Sequence, residues 1–248
     1  MKEINIFFDL DGVIVDLKST VANKLEILLH NNEHRKALLN RSKKFSLKYY
    51  FWILNQLRNI SDLEKLPSTA GYIIDYILSF LTLNDYKIFS EVIVFDEVVD
   101  FVSNFKGLLN NFLADNVKLN ILSAYLKPNT EYFDESERKE IVQKCIKEKE
   151  EFINNQLNFI DNYFLVGRKD KATFAVKYSP AILVDDYEKN VKEFISSGGY
   201  SILFNSARHN VLDLKNKLLT ILNNLLEEID EEKINMDKAD SELFKSNI

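Results

Sequence analysis

Four apolar runs in this chain end in residues whose types suit phosphate chemistry. Ile4-Asn5-Ile6-Phe7-Phe8 ends in Asp9, with Asp11 one residue further on and Gly12 after it. Val117–Leu122 ends in Ser123, Tyr163–Val166 is followed by Lys169 and Lys171, and Ala181–Val184 ends in Asp185 and Asp186. Acids this close together repel and are costly to desolvate, so they need a cation, a proton or hydrogen bonds. The blander reading of the first pair is a strand followed by a solvated Asp-Gly turn. It weakens once the other strand ends are considered, because parallel strands bring such ends to one edge. Four carboxylates there call for a hard cation, and an oxygen-only donor set favours Mg²⁺ over zinc or copper. A phosphate dianion approaching those acids needs positive charge, which Lys169 and Lys171, opening a helix, can supply.

Strands and helices must alternate to position these ends. Ile4–Phe8 suits a strand buried on both faces, and Val13–Asp16 continues extended. Segments Ser19–Asn31, Arg35–Leu57, Ile60–Lys65 and Ala70–Leu83 carry apolar residues three and four apart and predict helices. They contain no β-α alternation, which reads as a helical insertion. Glu91–Phe95 is short and extended, and Glu97–Leu113 reads as one helix. Alternation then returns: strand Val117–Leu122, helix Glu135–Leu157 with Ile141, Cys145, Glu148 and Phe152 on one face, strand Tyr163–Val166, helix Lys171–Tyr178 and strand Ala181–Val184. A helix from Asn190 to Ser196 stops at Gly198-Gly199, Tyr200–Phe204 is the last strand, and Val211–Ile229 closes the fold. In that last helix Leu212, Leu218, Leu219, Leu222, Leu225 and Leu226 are expected to cover the sheet. The fold class is therefore α/β, a Rossmann-like, mostly parallel sheet flanked by helices and interrupted once. The expected organisation is a core of residues 1–17 and 95–230, a helical cap of residues 18–94 inserted after the first strand, and a frayed polar tail, 231–248.

In this order the four motifs resemble those of the haloacid-dehalogenase (HAD) superfamily of phosphotransferases. They read Phe7-Phe8-Asp9-Leu10-Asp11-Gly12-Val13, Leu119-Asn120-Ile121-Leu122-Ser123, Lys171, and Ile182-Leu183-Val184-Asp185-Asp186. The insertion lies where this superfamily places one class of cap. Within it the chain looks most like the 5'(3')-deoxyribonucleotidase group, on Phe8–Val13 with Asp16, Leu183–Asn190 leading to Gly198-Gly199, Lys149–Phe152 and Lys171–Ala175. The resemblance implies that Asp9 is the nucleophile, giving an aspartyl-phosphate, and that Asp11 is the general acid and then base. It implies Mg²⁺ held by Asp9, the Asp11 backbone carbonyl and Asp185, with Asp186 in support. Ser123 and the amides after it, beginning with Ala124, would bind phosphate oxygens while Lys171, or Lys169 in its place, balances charge. The substrate implied is a small phosphomonoester, first a (deoxy)nucleoside monophosphate. Sugar phosphates are the alternative, and a non-catalytic protein that binds a phosphorylated ligand or a protein partner is a third reading.

Bulk properties bound these readings. A net charge of −6 argues against a general binder of nucleic-acid polymers. Cys145, a single cysteine, cannot form an internal disulfide. No run reaches membrane-spanning length and the N-terminus lacks a leader pattern, so a cytoplasmic enzyme without a membrane partner is expected. His30-Asn31-Asn32-Glu33-His34 fits a zinc-protease pattern, yet Asn31-Asn32 suits a loop, and a surface helix end is the simpler reading. Arg35, Lys36, Arg41, Lys43, Lys44 and Lys48, followed by Tyr49-Tyr50-Phe51-Trp52, could attract and stack a nucleotide; a solvated helix with its aromatics in the insertion's own core is favoured. Asp16 is expected to orient the path into the insertion.

Overall fold

The computed structural model describes residues 3–42, 45–59, 68–109 and 111–227, without the side chains of residues 68–72 and 111–113. The helix expected at Ile60–Lys65, Lys43 and Lys44, and the tail 231–248 lie outside the described residues. Strand β1 (Ile4–Phe8) is buried along its whole length, as its unbroken apolar run requires. It pairs in parallel with β4 (Val117–Ala124) on one side and β6 (Ala181–Asp185) on the other. Adding β5 (Asn162–Val166) and β7 (Tyr200–Leu203) gives a five-stranded parallel sheet in the order β5-β4-β1-β6-β7. The α/β architecture expected from the alternation is the one observed.

Helices cover both faces of this sheet. On one face Ile4, Ile6 and Phe8 share a core with Val98 and Val102 of α5 (Asp96–Asn104), Phe152 of α7 (Glu135–Gln156) and Leu214, Leu218 and Leu222 of α10 (residues 211–227). On the other, Phe7 and Leu183 pack with Phe174 of α8 (Thr173–Lys177) and Phe194 of α9 (Glu188–Ser196). That second face also carries a row of amides. Asn162 donates to Asn120 at 3.0 Å, and Asn120 donates to Asn5 at 3.1 Å, across three adjacent strands.

After β1 the chain turns, forms the two-residue strand β2 (Val15–Asp16), and returns through β3 (Ile93–Val94), which pairs with it antiparallel. Between them lie α1 (Leu17–His30), α2 (Asn32–Ser42), α3 (Leu47–Asn59) and α4 (Ser68–Leu83). These helices bury a separate cluster including Leu25, Leu28, Tyr50, Ile53, Ile77 and Leu81, joined by Ile141 and Cys145 of α7. Asp16 caps α1, accepting from the Ser19 amide at 2.9 Å. A capping box of Asp134 and Glu137 starts α7.

Several element boundaries differ from the sequence reading. The single helix expected over Arg35–Leu57 is two, because Ser46 restarts the helix, its carbonyl accepting from the Tyr49 amide at 2.9 Å. The helix expected over Glu97–Leu113 ends at Asn104, whose side chain takes the Asp100 carbonyl at 2.8 Å in competition with the backbone. A 3₁₀ turn over Phe105–Leu108, containing the weak helix former Gly107, follows it, and then α6 (Asn111–Asn116). In α10 the buried stripe is Leu214, Leu218, Leu222 and Leu225, spaced four, four and three apart, which leaves Leu212 57% exposed. Only Val15 and Asp16 of the run Val13–Asp16 are strand, since the Ile14 and Val15 amides turn back to the Leu10 carbonyl.

Candidate active site

The parallel pairing places Phe8 level with Val184, so Asp9 and Asp185 leave the sheet side by side. The Asp9 amide donates to the Val184 carbonyl at 2.8 Å, fixing the chain where it departs. Lys171, buried just ahead of α8, inserts its ammonium between the two carboxylates, 2.9 Å from Asp9 Oδ2 and 2.8 Å from Asp185 Oδ2. Lys169, the alternative lysine, is exposed. Asp185 is further held by the Tyr187 amide at 2.9 Å and by the Asn190 amide group at 3.1 and 3.0 Å. Burial would lower the Lys171 ammonium, but Asp9 and Asp185 outweigh it and hold it above the ordinary lysine range.

Asp186 completes an acidic group. Carboxylate oxygens of Asp9, Asp185 and Asp186 lie within 4.8 Å of one another, the one set of potential metal ligands among the described residues. Burial, reinforced by the charges of Asp9, Asp185 and Asp11, pushes the Asp186 carboxyl up to about 9. Burial and the neighbouring Asp9 raise Asp185 as well, against the pull of Lys171. Three crowded acids and one lysine leave negative charge uncompensated, and their hard oxygen donors fit a divalent cation such as Mg²⁺. Gly12 makes room for the group. It adopts φ of +81°, and a Cβ there would stand 2.0 Å from Asp186 Oδ2.

Asp11 points elsewhere. Its Oδ2 is 2.6 Å from the ammonium of Lys149, while its Oδ1 is buried without a hydrogen-bond partner among the described residues. Lys149 was not anticipated from the sequence. It comes from the middle of α7, is 1% exposed, and donates also to Ser123 Oγ at 3.0 Å and the Ala124 carbonyl at 2.8 Å. Burial raises the Asp11 carboxyl, with Lys149 opposing and Asp9 assisting. The available signal was periodicity. Cys145, Lys149 and Ile153 are four apart on the buried face of α7, and a charged residue on such a stripe needs a partner.

These groups wall a cavity of about 490 Å³, lined by Asp9, Asp11, Ala124, Lys171 and Asp186 and closed by Leu17, Lys18, Ile74 and Asp75 from α1 and α4. That volume suits a small molecule. Ser123 is fully buried behind the wall, held by Lys149, and Ala124 faces the cavity in its place. Arg168 also lines it, over the Tyr187 ring at 5.6 Å and donating to Asn190 at 3.1 Å.

No protein-family model and no curated protein matches this sequence. Among solved structures, it is similar to a hydrolase from Streptococcus pneumoniae at 12% identity and a TM-score of 0.43, covering 88% of this chain and 99% of that one. A HAD-hydrolase of Bacillus subtilis bound to magnesium matches at 14% identity and a TM-score of 0.40, over 90% and 100% of the chains. A mutant HAD-family enzyme of Bacteroides thetaiotaomicron, in complex with magnesium and inorganic phosphate, matches at 12% identity and a TM-score of 0.39, over 84% and 96%. Likenesses this distant leave the functional reading to the site itself.

The weaker sequence signals fall outside that site. His30 ends α1 and its ring nitrogen meets the Glu26 carbonyl, whereas His34, on α2, meets the Tyr86 hydroxyl. Tyr50 is buried in the cluster of α1–α4, and Phe45 stacks on Tyr49 at 5.5 Å, away from the cavity lining. Cys145 is packed, and burial pushes its thiol up to about 11. No helix among the described residues is long and apolar enough to cross a membrane.

Proposed function

We propose that this chain is a HAD-type, Mg²⁺-dependent phosphomonoester hydrolase working through an aspartyl-phosphate on Asp9. The observation that carries the reading is Lys171, buried between Asp9 and Asp185 in the wall of a small-molecule cavity. A nucleophilic carboxylate needs an orienting cation, and a dianionic substrate needs one too; the same ammonium serves both. Asp9, Asp185 and the Asp11 backbone carbonyl, with Asp186 beside them, are the residues to hold Mg²⁺. When bound, the ion supplies charge neutralisation at the phosphoryl group.

In the first step an Asp9 oxygen bonds to phosphorus as the phosphorus–oxygen bond to the alcohol breaks. Asp11 gives its proton to the departing oxygen, a role its raised carboxyl suits. Water then attacks the phosphorus, passing a proton back to Asp11, and Asp9 is regenerated with release of phosphate. Ala124, which lines the cavity, is the residue proposed to meet phosphate oxygens, with the buried Ser123 held behind it by Lys149.

The substrate reading favoured here is a nucleoside monophosphate, with Phe95 and Tyr187 as the cavity's rings. One observation supports the sugar-phosphate alternative: the aromatic residues of α3 do not line the cavity, whereas Lys18, Asp75 and Asn205 do. Phosphate release from a panel of nucleoside monophosphates and sugar phosphates, with and without Mg²⁺, tests both. The expected result is Mg²⁺-dependent turnover, strongest on deoxynucleotides and abolished by Asp9→Asn. Undiminished rates in Asp9→Asn would refute the covalent mechanism.

A further inference from the structure

Besides Lys171, the cavity wall carries Arg168, which belongs to none of the four motifs. It opens the short 3₁₀ turn Arg168–Asp170 that follows β5. One amino group of its guanidinium donates to Asn190 Oδ1 at 3.1 Å and stands 3.5 Å from Glu193. The guanidinium lies over the Tyr187 ring at 5.6 Å, a contact that holds a cation without using its N–H groups. Nε and the second amino group meet no acceptor among the described residues. The contact with Glu193 is long and the two side chains are 34% and 36% exposed, so that pair is weak.

A guanidinium steadied on one edge, with its other donors open, is suited to receive an anion through paired hydrogen bonds. Its position separates that anion from the reacting phosphoryl group. The Asn190 amide that accepts from Arg168 also donates to Asp185 at 3.1 and 3.0 Å, so the guanidinium stands one amide's width beyond the acidic group. Lys171 occupies the inside of that group, between Asp9 and Asp185. Arg168 also lines a second, more open groove with Lys169, Lys189, Lys192 and Glu193. Lys189 and Lys192 pair with glutamates on α9 at 3.9 and 2.6 Å, as on any solvated helix face. Lys169 makes no ion pair among the described residues, and the groove remains positive. A positive rim of this kind draws anions towards the cavity mouth.

We propose that Arg168 is a specificity-determining residue that binds a second anionic group, a carboxylate or a further phosphate, on the alcohol part of the substrate. This rests on the phosphatase reading above and narrows its substrate class to phosphomonoesters with two anionic ends. One end is the phosphoryl group at Asp9 and Lys171. The other lies against the open donors of Arg168, with Tyr187 and Asn190 holding the guanidinium in place. Bonds are made and broken at the first end only, so Arg168 acts through binding.

Matched pairs of esters that differ by the second anion test this. They are glycerol 3-phosphate with 3-phosphoglycerate, fructose 6-phosphate with fructose 1,6-bisphosphate, and deoxyadenosine 5'-monophosphate with its 3',5'-bisphosphate. Phosphate release is followed for wild type, Arg168→Gln and Arg168→Lys at fixed ionic strength with Mg²⁺. In at least one pair, wild type should favour the doubly anionic member by about 10-fold or more in kcat/KM, the size of one charged hydrogen bond. Arg168→Gln should reduce that preference by about 10–100-fold, chiefly through KM. Arg168→Lys, which keeps the charge without the fork, should reduce it by about 3–10-fold. The first pair reports a carboxylate, and the other two report a phosphate.

Equal losses on both members of the preferred pair overturn the proposal, because they would place Arg168 at the reacting phosphoryl group instead. Should Arg168→Gln melt below the assay temperature, Arg168→Lys carries the test, and a wild-type preference in that variant overturns the proposal. Turnover by wild type with no preference in any pair refutes this inference alone. Silence of wild type on all six esters and on the nucleotide and sugar-phosphate panel refutes the phosphatase reading and this inference with it.

Discussion

Replacing Lys171 by Met removes the charge that separates Asp9 from Asp185 while roughly keeping the volume of the side chain. Both contacts are short, 2.9 and 2.8 Å, and the lysine is 2% exposed, so water cannot take its place. Stripping one partner from a buried ion pair costs about 3–5 kcal/mol, because the remaining charge is left uncompensated. At about 2–4 °C per kcal/mol for a chain of this size, the metal-free variant should melt about 6–20 °C below wild type. Mg²⁺ should reverse part of that loss, since the freed carboxylates become a more negative site. At a hundredfold excess over its dissociation constant, the ion returns about 2.7 kcal/mol. Turnover should not return, because phosphate oxygens have lost their buried cation, a loss of about 10²–10³-fold. The assay pairs thermal melts across a Mg²⁺ titration with phosphate release under the same conditions. A metal-free Lys171→Met that melts with wild type, or one that keeps turnover within about three-fold, would refute the role assigned to this ammonium.

Two further outcomes follow from the acidic group. In the metal-free protein Asp186 titrates near 9, far above an unfolded aspartate, so the native state holds one more proton between those values. Stability should therefore fall as pH rises from about 4 towards 9, and Asp186→Asn should flatten that dependence in melts across pH. By the same linkage, Mg²⁺ binding at neutral pH should release a proton from wild type, read by calorimetry in buffers of different ionisation enthalpy, and not from Asp186→Asn. Gly12→Ala combines a left-handed backbone with a Cβ 2.0 Å from Asp186 Oδ2. It should lower stability by about 1–2 kcal/mol and weaken Mg²⁺ binding, checked by melts and titration.

Much of the sheet and of its acidic edge could be read from residue types. Four apolar runs with polar ends impose parallel strands, and parallel strands impose convergence of Asp9, Lys171, Asp185 and Asp186. Boundaries set by side-chain competition were less legible. Asn104 ends α5 by capturing a backbone carbonyl, and that choice depends on what the next turn packs against. Lys149 escaped for a different reason. A lysine among charged neighbours on a long helix reads as solvated, and only the two-sided packing of α7 shows which way it faces. The cavity wall from α1 and α4 depends on how helices without sheet register pack, which no spacing in the sequence specifies.

The amide row formed by Asn5, Asn120 and Asn162 lies well away from the cavity, yet it bears on the chemistry. Ile, Leu and Val on neighbouring strands are nearly interchangeable, so a slip of two residues would keep every apolar side chain on its proper face. Such a slip of β1 breaks the Asn120–Asn5 contact and leaves the buried Asn5 without that donor, which apolar packing cannot offset. It would also carry the end of β1 about 6–7 Å along its neighbours, at about 3.3 Å per residue, and take Asp9 out of reach of Lys171. The asparagines thus act as a vernier, a fine scale at one end of the sheet that makes the other end read true.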